Sequence, residues 1–387
     1  MGAIGELFKK NIRQYGMIIA LIFISIFFQI LTDGILLKPL NVTNLILQNS
    51  YILVLAIGMV LVIITGHIDL SVGSVAAFIG AFSAIMMVDM QMNPVLAVIL
   101  SLLMGALVGA WQGFWVAYIK IPAFIVTLAG MLLFRGLTMI VLNGQSIAPF
   151  PKSFQKISSG FIPDLFNGST MHVLTLVIGV LLSTLVVYQE FKTRKIQAKY
   201  GFEQSSVWLS FAKSAALVLV INAFTFVLAQ YNGIPNILVI LLVLIAIYSF
   251  VMNRMTMGRH IYALGGNEKA AGLSGVKTKR VTFWVFVNMG VLAALSGLVF
   301  AARLNSATPK AGTNFELDAI AACFIGGASA SGGIGTVIGA IIGGLVMGVM
   351  NNGMSLVGLG VDWQQGIKGL VLLLAVGFDI YNKSKTS

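Results

Sequence analysis

Apolar residues run along this chain in long blocks, not in the mixed pattern of a water-facing surface. The blocks fall near residues 16–32, 45–65, 72–88, 94–118, 123–142, 172–189, 213–230, 236–252, 281–301, 317–330, 335–352 and 365–381. A helix that crosses a bilayer needs about 20 predominantly apolar residues, and most of the blocks approach or reach that length. The pattern predicts an all-α polytopic membrane protein of about 12 transmembrane helices, a single membrane domain over residues 1–387. The block at 317–330, LDAIAACFIGGASA, is the shortest and runs into Ser331, Gly332 and Gly333, which predicts a short or broken helix.

Composition agrees. Of 387 residues 58% are apolar and 9% charged, where an ordinary globular chain is about half apolar and about a quarter charged. The mean hydropathy is +0.97. A soluble enzyme, a secreted disulfide scaffold and an ordinary nucleic-acid binder are excluded. The single cysteine, Cys323, allows no intramolecular disulfide and sits in an apolar run as a small core residue.

The net charge of +12 changes meaning once the cations are placed. With the N-terminus in the cytoplasm and twelve alternating spans, seventeen of the 24 Lys and Arg residues fall on the cytoplasmic side, from Lys9, Lys10 and Arg13 to Lys383 and Lys385. Six (Lys38, Lys152, Lys156, Arg303, Lys310 and Lys368) fall opposite, and Arg135 lies inside a span. This is the positive-inside bias, and it puts both termini in the cytoplasm. No nucleic-acid stripe is needed to explain the charge.

Polar residues inside or beside the blocks carry the chemistry. GHIDLSVGS (66–74) interrupts two apolar runs: Gly66 and Gly73 relax the helix, Ser71 and Ser74 offer hydroxyls, and Asp69 brings a charge that must face a cavity or a partner. Two readings of Asp69 stand, a cap accepting the amide of Ser71 or Val72 and a pathway group. His67 has no second His or Cys at ligand spacing, so no metal site is expected. Arg135 needs a partner or water within its span. Glu316 and Asp318 open the 317–330 block as dipole partners of a helix start or as groups facing a sugar hydroxyl. Gly335, Gly339 and Gly343 recur every four residues and predict a flat helix face for close packing. Gln112, Thr127, Asn143, Asn288, Asn351 and Asn352 are uncharged and suit a neutral polyhydroxyl solute better than an ion, and Phe124 shares the span of Thr127.

Three connecting segments are long. Residues 143–170, with Pro149, Pro151, Pro163 and Gly168, read as an ordered outer loop. Residues 190–212 are polar and basic. Residues 253–280 contain a Gly265-Gly266 break, then Asn267 to cap a short helix, Glu268 to complement its dipole, Lys269, and the small Ala270 and Ala271. That segment is either a solvated connector or a docking element for another protein. No phosphate-binding loop, zinc-protease motif or nucleophile elbow is present, so if transport is driven by ATP, another chain supplies the motor.

GHIDLSVGS (66–74), PAFIVTLAGMLLFRGLT (122–138), GRHIYALGGNEKAAGLSGV (258–276), ARLNSATPKAGTNFELDAIAA (302–322) and NNGMSLVGL (351–359) together resemble the permease subunits of bacterial monosaccharide ABC importers, the ribose, xylose and galactose group. The extra basic loop and helix pair at 190–252 is similar to the xylose and multiple-monosaccharide branch. The resemblance implies a homodimer with a ten-helix core of the cobalamin importer type in the bacterial cytoplasmic membrane. It also implies an external sugar-binding protein and a cytoplasmic ATPase with two fused cassettes, which uses the ATP and Mg that this chain does not bind. By the same resemblance residues 253–280 form the coupling loop, with Gly265 to Ala271 docking into the ATPase. His67, Asp69, Ser71, Phe124, Thr127, Arg135, Asn143, Glu316 and Asp318 are the pathway or gate candidates, with a neutral aldose, xylose first, as solute. The competing reading is a proton-coupled secondary sugar transporter built on Asp69, Glu316, Asp318 and Arg135.

Overall fold

The computed structural model describes residues 12–166, 168, 171–201 and 206–384. The terminal cations Lys9, Lys10 and Lys385 lie outside the described residues. Among the described residues fifteen α-helices follow one another: α1 (Ile12–Leu31), α2 (Pro39–Ile64), α3 (Val72–Ala84, prolonged by a wide turn Ile85–Asp89), α4 (Pro94–Ala117), α5 (Ala123–Val141), α6 (Lys152–Ser159), α7 (Val173–Lys199), α8 (Val207–Ala229), α9 (Asn236–Arg254), α10 (Thr256–Gly266), α11 (Glu268–Leu273), α12 (Thr278–Leu304), α13 (Phe315–Ile325), α14 (Val337–Leu356) and α15 (Val361–Ser384). Every one of the twelve apolar blocks falls on a helix.

Among the described residues nine helices are long and apolar enough to cross a membrane: α2 to α5, α7 to α9, α12 and α14. Of the other three blocks, α1 offers the shorter apolar stretch Gly16–Leu31, and α15 opens on Asp362, Gln364, Gln365 and Lys368. The third, α13, has 11 residues, about 16 Å of helix against about 30 Å of hydrocarbon. It is the short helix that its sequence predicted.

Contacts divide the chain into two compact units, one of Met1–Leu36, Leu45–Ser159 and Ile237–Ser387, the other of Leu37–Asn44 and Gly160–Asn236. In the first unit α2 is apolar on all sides and is 83% buried over its most apolar window, against 28% for α4. It is therefore a core helix, and α4 keeps one face outward. Gly105 of α4 lies against Gly290 and Ala294 of α12, and Gly109 against Phe286 and Val287, so these helices run antiparallel with their backbones nearly touching. Ala76 meets Gly297, and Gly80 lies beside Gly297 and Ala301; contacts that advance together make α3 parallel to α12. On the other side α13 packs on α14 and α14 on α1.

Two expectations are corrected. Gly339 and Gly343 approach the backbone at Gly326 and Ala322 as the four-residue spacing predicts. Gly335 does not share that face: it precedes α14, because Thr336 caps the helix by accepting the Gly339 amide at 2.9 Å. The segment 143–170 is not loop throughout, since α6 forms within it and packs on α12; Pro151, just before the helix, accepts the amides of Phe154 and Gln155. In the second unit α7 and α8 pair, with Gly179 against the Thr225 side chain and the Asn222 amide donating to Ser183 Oγ at 2.7 Å. The start of α7 is capped from a distance by Asp164, which accepts the amides of Val173 at 2.9 Å and Leu174 at 3.2 Å.

Candidate functional site

The break between α2 and α3 is a built polar turn. Gly66 takes the left-handed conformation (φ +81) and the chain reverses into Ser71. Asp69, only 2% exposed, accepts from the Ser71 amide at 2.8 Å and from Ser71 Oγ at 2.6 Å. Its carboxylate thus holds the turn in the capping manner. Helices α4 and α5 support it: Gln112 donates to Ser71 Oγ at 2.7 Å, and Thr127 donates to Ala123 O at 2.9 Å and lies 3.4 Å from Ile68 O. The register of α3 on α12 sets the start of α3 near the middle of the 27-residue α12. The break is therefore at membrane depth, where unpaired backbone is tolerated only if protein groups satisfy it. His67 completes the turn with its ring 6.0 Å from that of Phe286.

A second irregular segment, residues 305–314, descends onto the first turn of α3. Gly73 and Gly312 approach so closely that a β-carbon on either would overlap the backbone of the other. Arg135 clamps this segment, with Nη1 donating to Ala311 O at 2.6 Å and Nη2 to Gly312 O at 3.2 Å. The partner that a charge inside α5 requires is thus a pair of backbone carbonyls. Glu316, in the first turn of α13, brings its carboxylate over Gly73. It is buried, and among the described residues its Oε2 accepts no hydrogen bond. Asp318, on the same turn, is paired with Lys368 of α15, whose Nζ lies 3.0 Å and 3.3 Å from its two oxygens. The Asp318 side chain is 7% exposed and that of Lys368 23%. Changing Lys368 to Met leaves a buried carboxylate unpaired and should cost about 1–2 kcal/mol, between exposed and fully buried pairs. A Tm lowered by a few degrees in detergent, restored by adding Asp318→Asn, checks this; an unshifted Tm refutes it.

At this same C-terminal end of α2, the end of α10 meets the α2–α3 break and the α13–α14 connection. Gly265 rests backbone to backbone on Ile64 and Gly333, while Gly332 lies over Gly66. Gly333 N donates to Ile64 O at 2.8 Å, and Tyr262 OH donates to Gly335 O at 2.8 Å. One short element therefore touches the α2–α3 break and the α13–α14 connection together. Asn267 caps α11 by accepting the Ala270 amide at 3.0 Å. Glu268 accepts from Lys120, in the α4–α5 turn, at 2.9 Å. This hydrogen bond holds the Glu268 carboxyl below its ordinary range. The tether is therefore present at neutral pH and lost only as acid protonates the carboxylate. Ala271 turns inward, while Ala270, Lys269 and Leu273 face out. Leu273 is 92% exposed.

Three of the expected residues, Asp69, Ser71 and Thr127, gather with Gln112 at the break, and Arg135 and Glu316 join across Gly73 and Gly312. Phe124 is exposed on α5, and Asn143 lies exposed in the turn after it (φ +48); neither joins these clusters. The sequence reading missed Lys120, Leu273 and Lys368. Leu273 carried a signal, the one large aliphatic side chain in EKAAGL.

An apolar bundle whose α2–α3 break and α13–α14 connection are both touched by the end of one short helix, α10, which leads into the capped, exposed α11, has the architecture of a transport permease. The chain belongs to the family described as the permease component of branched-chain amino acid transport systems, which matches residues 41–376. It is 40% identical over 380 residues to the xylose transport system permease protein XylH of Haemophilus influenzae, covering 98% of this chain and 99% of that one. To XylH of Escherichia coli K12 it is 38% identical over 385 residues, 100% and 96% of the two chains. The ribose import permease protein RbsC of Bacillus subtilis is 36% identical over 372 residues, 96% and 94%. No solved structure matches the chain.

Proposed function

We propose that this chain is the membrane-spanning subunit of an ATP-driven importer of a neutral monosaccharide, xylose or a small set of aldoses, in the bacterial cytoplasmic membrane. The observation that carries the reading is the wedge of the end of α10, which leads straight into α11, against the α2–α3 break and the α13–α14 connection. A force applied to α11 reaches Ile64–Gly66 and Gly332–Gly335 directly, with no flexible linker between. Gly265 to Ala271 form the docking element for a cytoplasmic ATPase with two fused cassettes, which holds ATP and Mg. The chain works as a homodimer that receives sugar from an external binding protein, with both termini cytoplasmic. His67, Asp69, Ser71, Thr127, Arg135, Glu316 and Asp318 build the segments that must move, while Phe124 and Asn143 are placed to meet solute or the second copy.

Near full-length identity to xylose permeases supports a sugar over the amino acids in the family's description. A proton-coupled carrier fits less well. Asp69 is bonded to Ser71 and Asp318 to Lys368, which leaves Glu316 alone, and one carboxylate is no relay.

The test is the reconstituted complex with its binding protein. Xylose should stimulate ATP hydrolysis, and Leu273→Asp with Glu268→Lys should return the rate to its unstimulated level without a change in Tm, because both side chains are at the surface. Stimulation that survives in the double variant, or uptake by this chain alone driven by a pH gradient, refutes the reading.

A further inference from the structure

The α7–α8 pair has a feature that translocation does not use. Helix α7 has 27 residues, about 40 Å long where about 30 Å spans the hydrocarbon. Its first part, Val173–Tyr188, carries no charge, and its last three turns carry Lys192, Arg194, Lys195 and Lys199 against Glu190. The antiparallel register set by Ser183 facing Asn222 brings Lys213 of α8 level with Lys192. The same tier is rich in exposed rings. Tyr188, Phe191, Tyr200, Trp208 and Phe211 all face outward, Trp208 at 76% exposure. Trp208 stacks with Phe211 at 6.3 Å between centroids, and Lys199 Nζ sits 5.6 Å above the ring of Tyr200.

Cations and exposed rings along the last turns of α7 and the first turns of α8, at and beyond the end of an uncharged stretch, match the chemistry of the interface between acyl chains and headgroups. Tyr and Trp favour that layer, long basic side chains reach into it, and a juxtamembrane basic cluster attracts anionic lipid. An acidic protein surface would satisfy the charges but would leave the large exposed rings of Tyr188, Phe191, Trp208 and Phe211 without an apolar layer to enter. We propose that this end of the α7–α8 hairpin binds anionic phospholipid headgroups, with Lys192, Lys195, Lys199 and Lys213 taking the phosphates and the aromatic tier anchoring the pair at the interface.

The experiment uses the full chain in bilayer discs of phosphatidylcholine with a minority of phosphatidylglycerol, one lipid brominated at a time. The contribution of Trp208 to fluorescence quenching is taken as the difference from Trp208→Phe. Brominated phosphatidylglycerol should be enriched at Trp208 about fivefold or more at 10 mM salt. Enrichment should fall toward unity at 1 M, as the Debye length shrinks from about 30 Å to about 3 Å. The fourfold variant Lys192→Gln, Lys195→Gln, Lys199→Gln, Lys213→Gln should lose it. If that variant does not fold, the salt series on the unaltered chain decides. Equal quenching by both lipids at low salt overturns the proposal. So does a folded variant that keeps the lipid preference, including one that loses only its hold on the ATPase, for then the surface is a protein interface.

Discussion

Replacing Gly265 with alanine is expected to bring sugar uptake close to background, whereas the same change at its neighbour Gly266 should alter uptake by less than about twofold. The two glycines are adjacent in sequence and opposite in surroundings. A β-carbon at 265 would overlap the carbonyl of Ile64 and stand 2.7 Å from the amide of Gly333, while one at 266 meets nothing within 4 Å. The Ile64 carbonyl already accepts the Gly333 amide at 2.8 Å, so a methyl group there parts three segments at once: the end of α10, the end of α2 and the α13–α14 connection. Overpacking of this kind costs about 1–3 kcal/mol. That is tolerable for the fold but enough to change the population of the engaged arrangement roughly 5- to 150-fold. The informative result is therefore a Gly265→Ala variant that expresses, keeps most of its Tm and binds the ATPase but no longer transmits. Equal uptake by the two variants would show that α10 is a connector and not a lever.

The helices were legible in the sequence because lipid imposes a simple demand, long apolar runs, and all twelve runs fell on helices. The break at 66–74 was legible for the same reason, as polar residues have no business between two such runs unless the chain folds on itself. Two readings of Asp69 stood side by side, and its bonds to Ser71 support the capping one. What the sequence hid was partnership. Arg135 announces that it needs acceptors, yet its acceptors are backbone carbonyls at 311 and 312, and a carbonyl has no letter in a sequence. The approach of Gly73 to Gly312 is hidden likewise, since two glycines in separate motifs carry no mark of pairing. Gly335 misled because its spacing runs unbroken into a helix face that a threonine cap cuts short. Leu273 could be seen as apolar but not as exposed, because exposure depends on which face Ala271 buries.

Arg135→Met is expected to cost about 2–4 kcal/mol of stability and most of the uptake. Two charge-assisted bonds to Ala311 and Gly312 vanish, and Glu316 is left without the cation whose field reaches it. The two losses can be separated. If the second matters, Arg135→Met combined with Glu316→Gln will be more stable than Arg135→Met alone, by about 1 kcal/mol or more in a double-mutant cycle. The clamp on the 305–314 segment will still be missing, so uptake will stay low. Arg135→Lys should retain the charge and fail at the clamp, since an ammonium cannot reach two carbonyls as a planar fork does; it should keep most of the stability and lose most of the uptake. Full uptake in the lysine variant would mean that charge alone serves, and the geometric role assigned to Arg135 would be withdrawn. The order of stability, wild type above Lys, then the double variant, then Met, follows only if Arg135 both ties the segment to α5 and neutralises Glu316, which is what its position between the two requires.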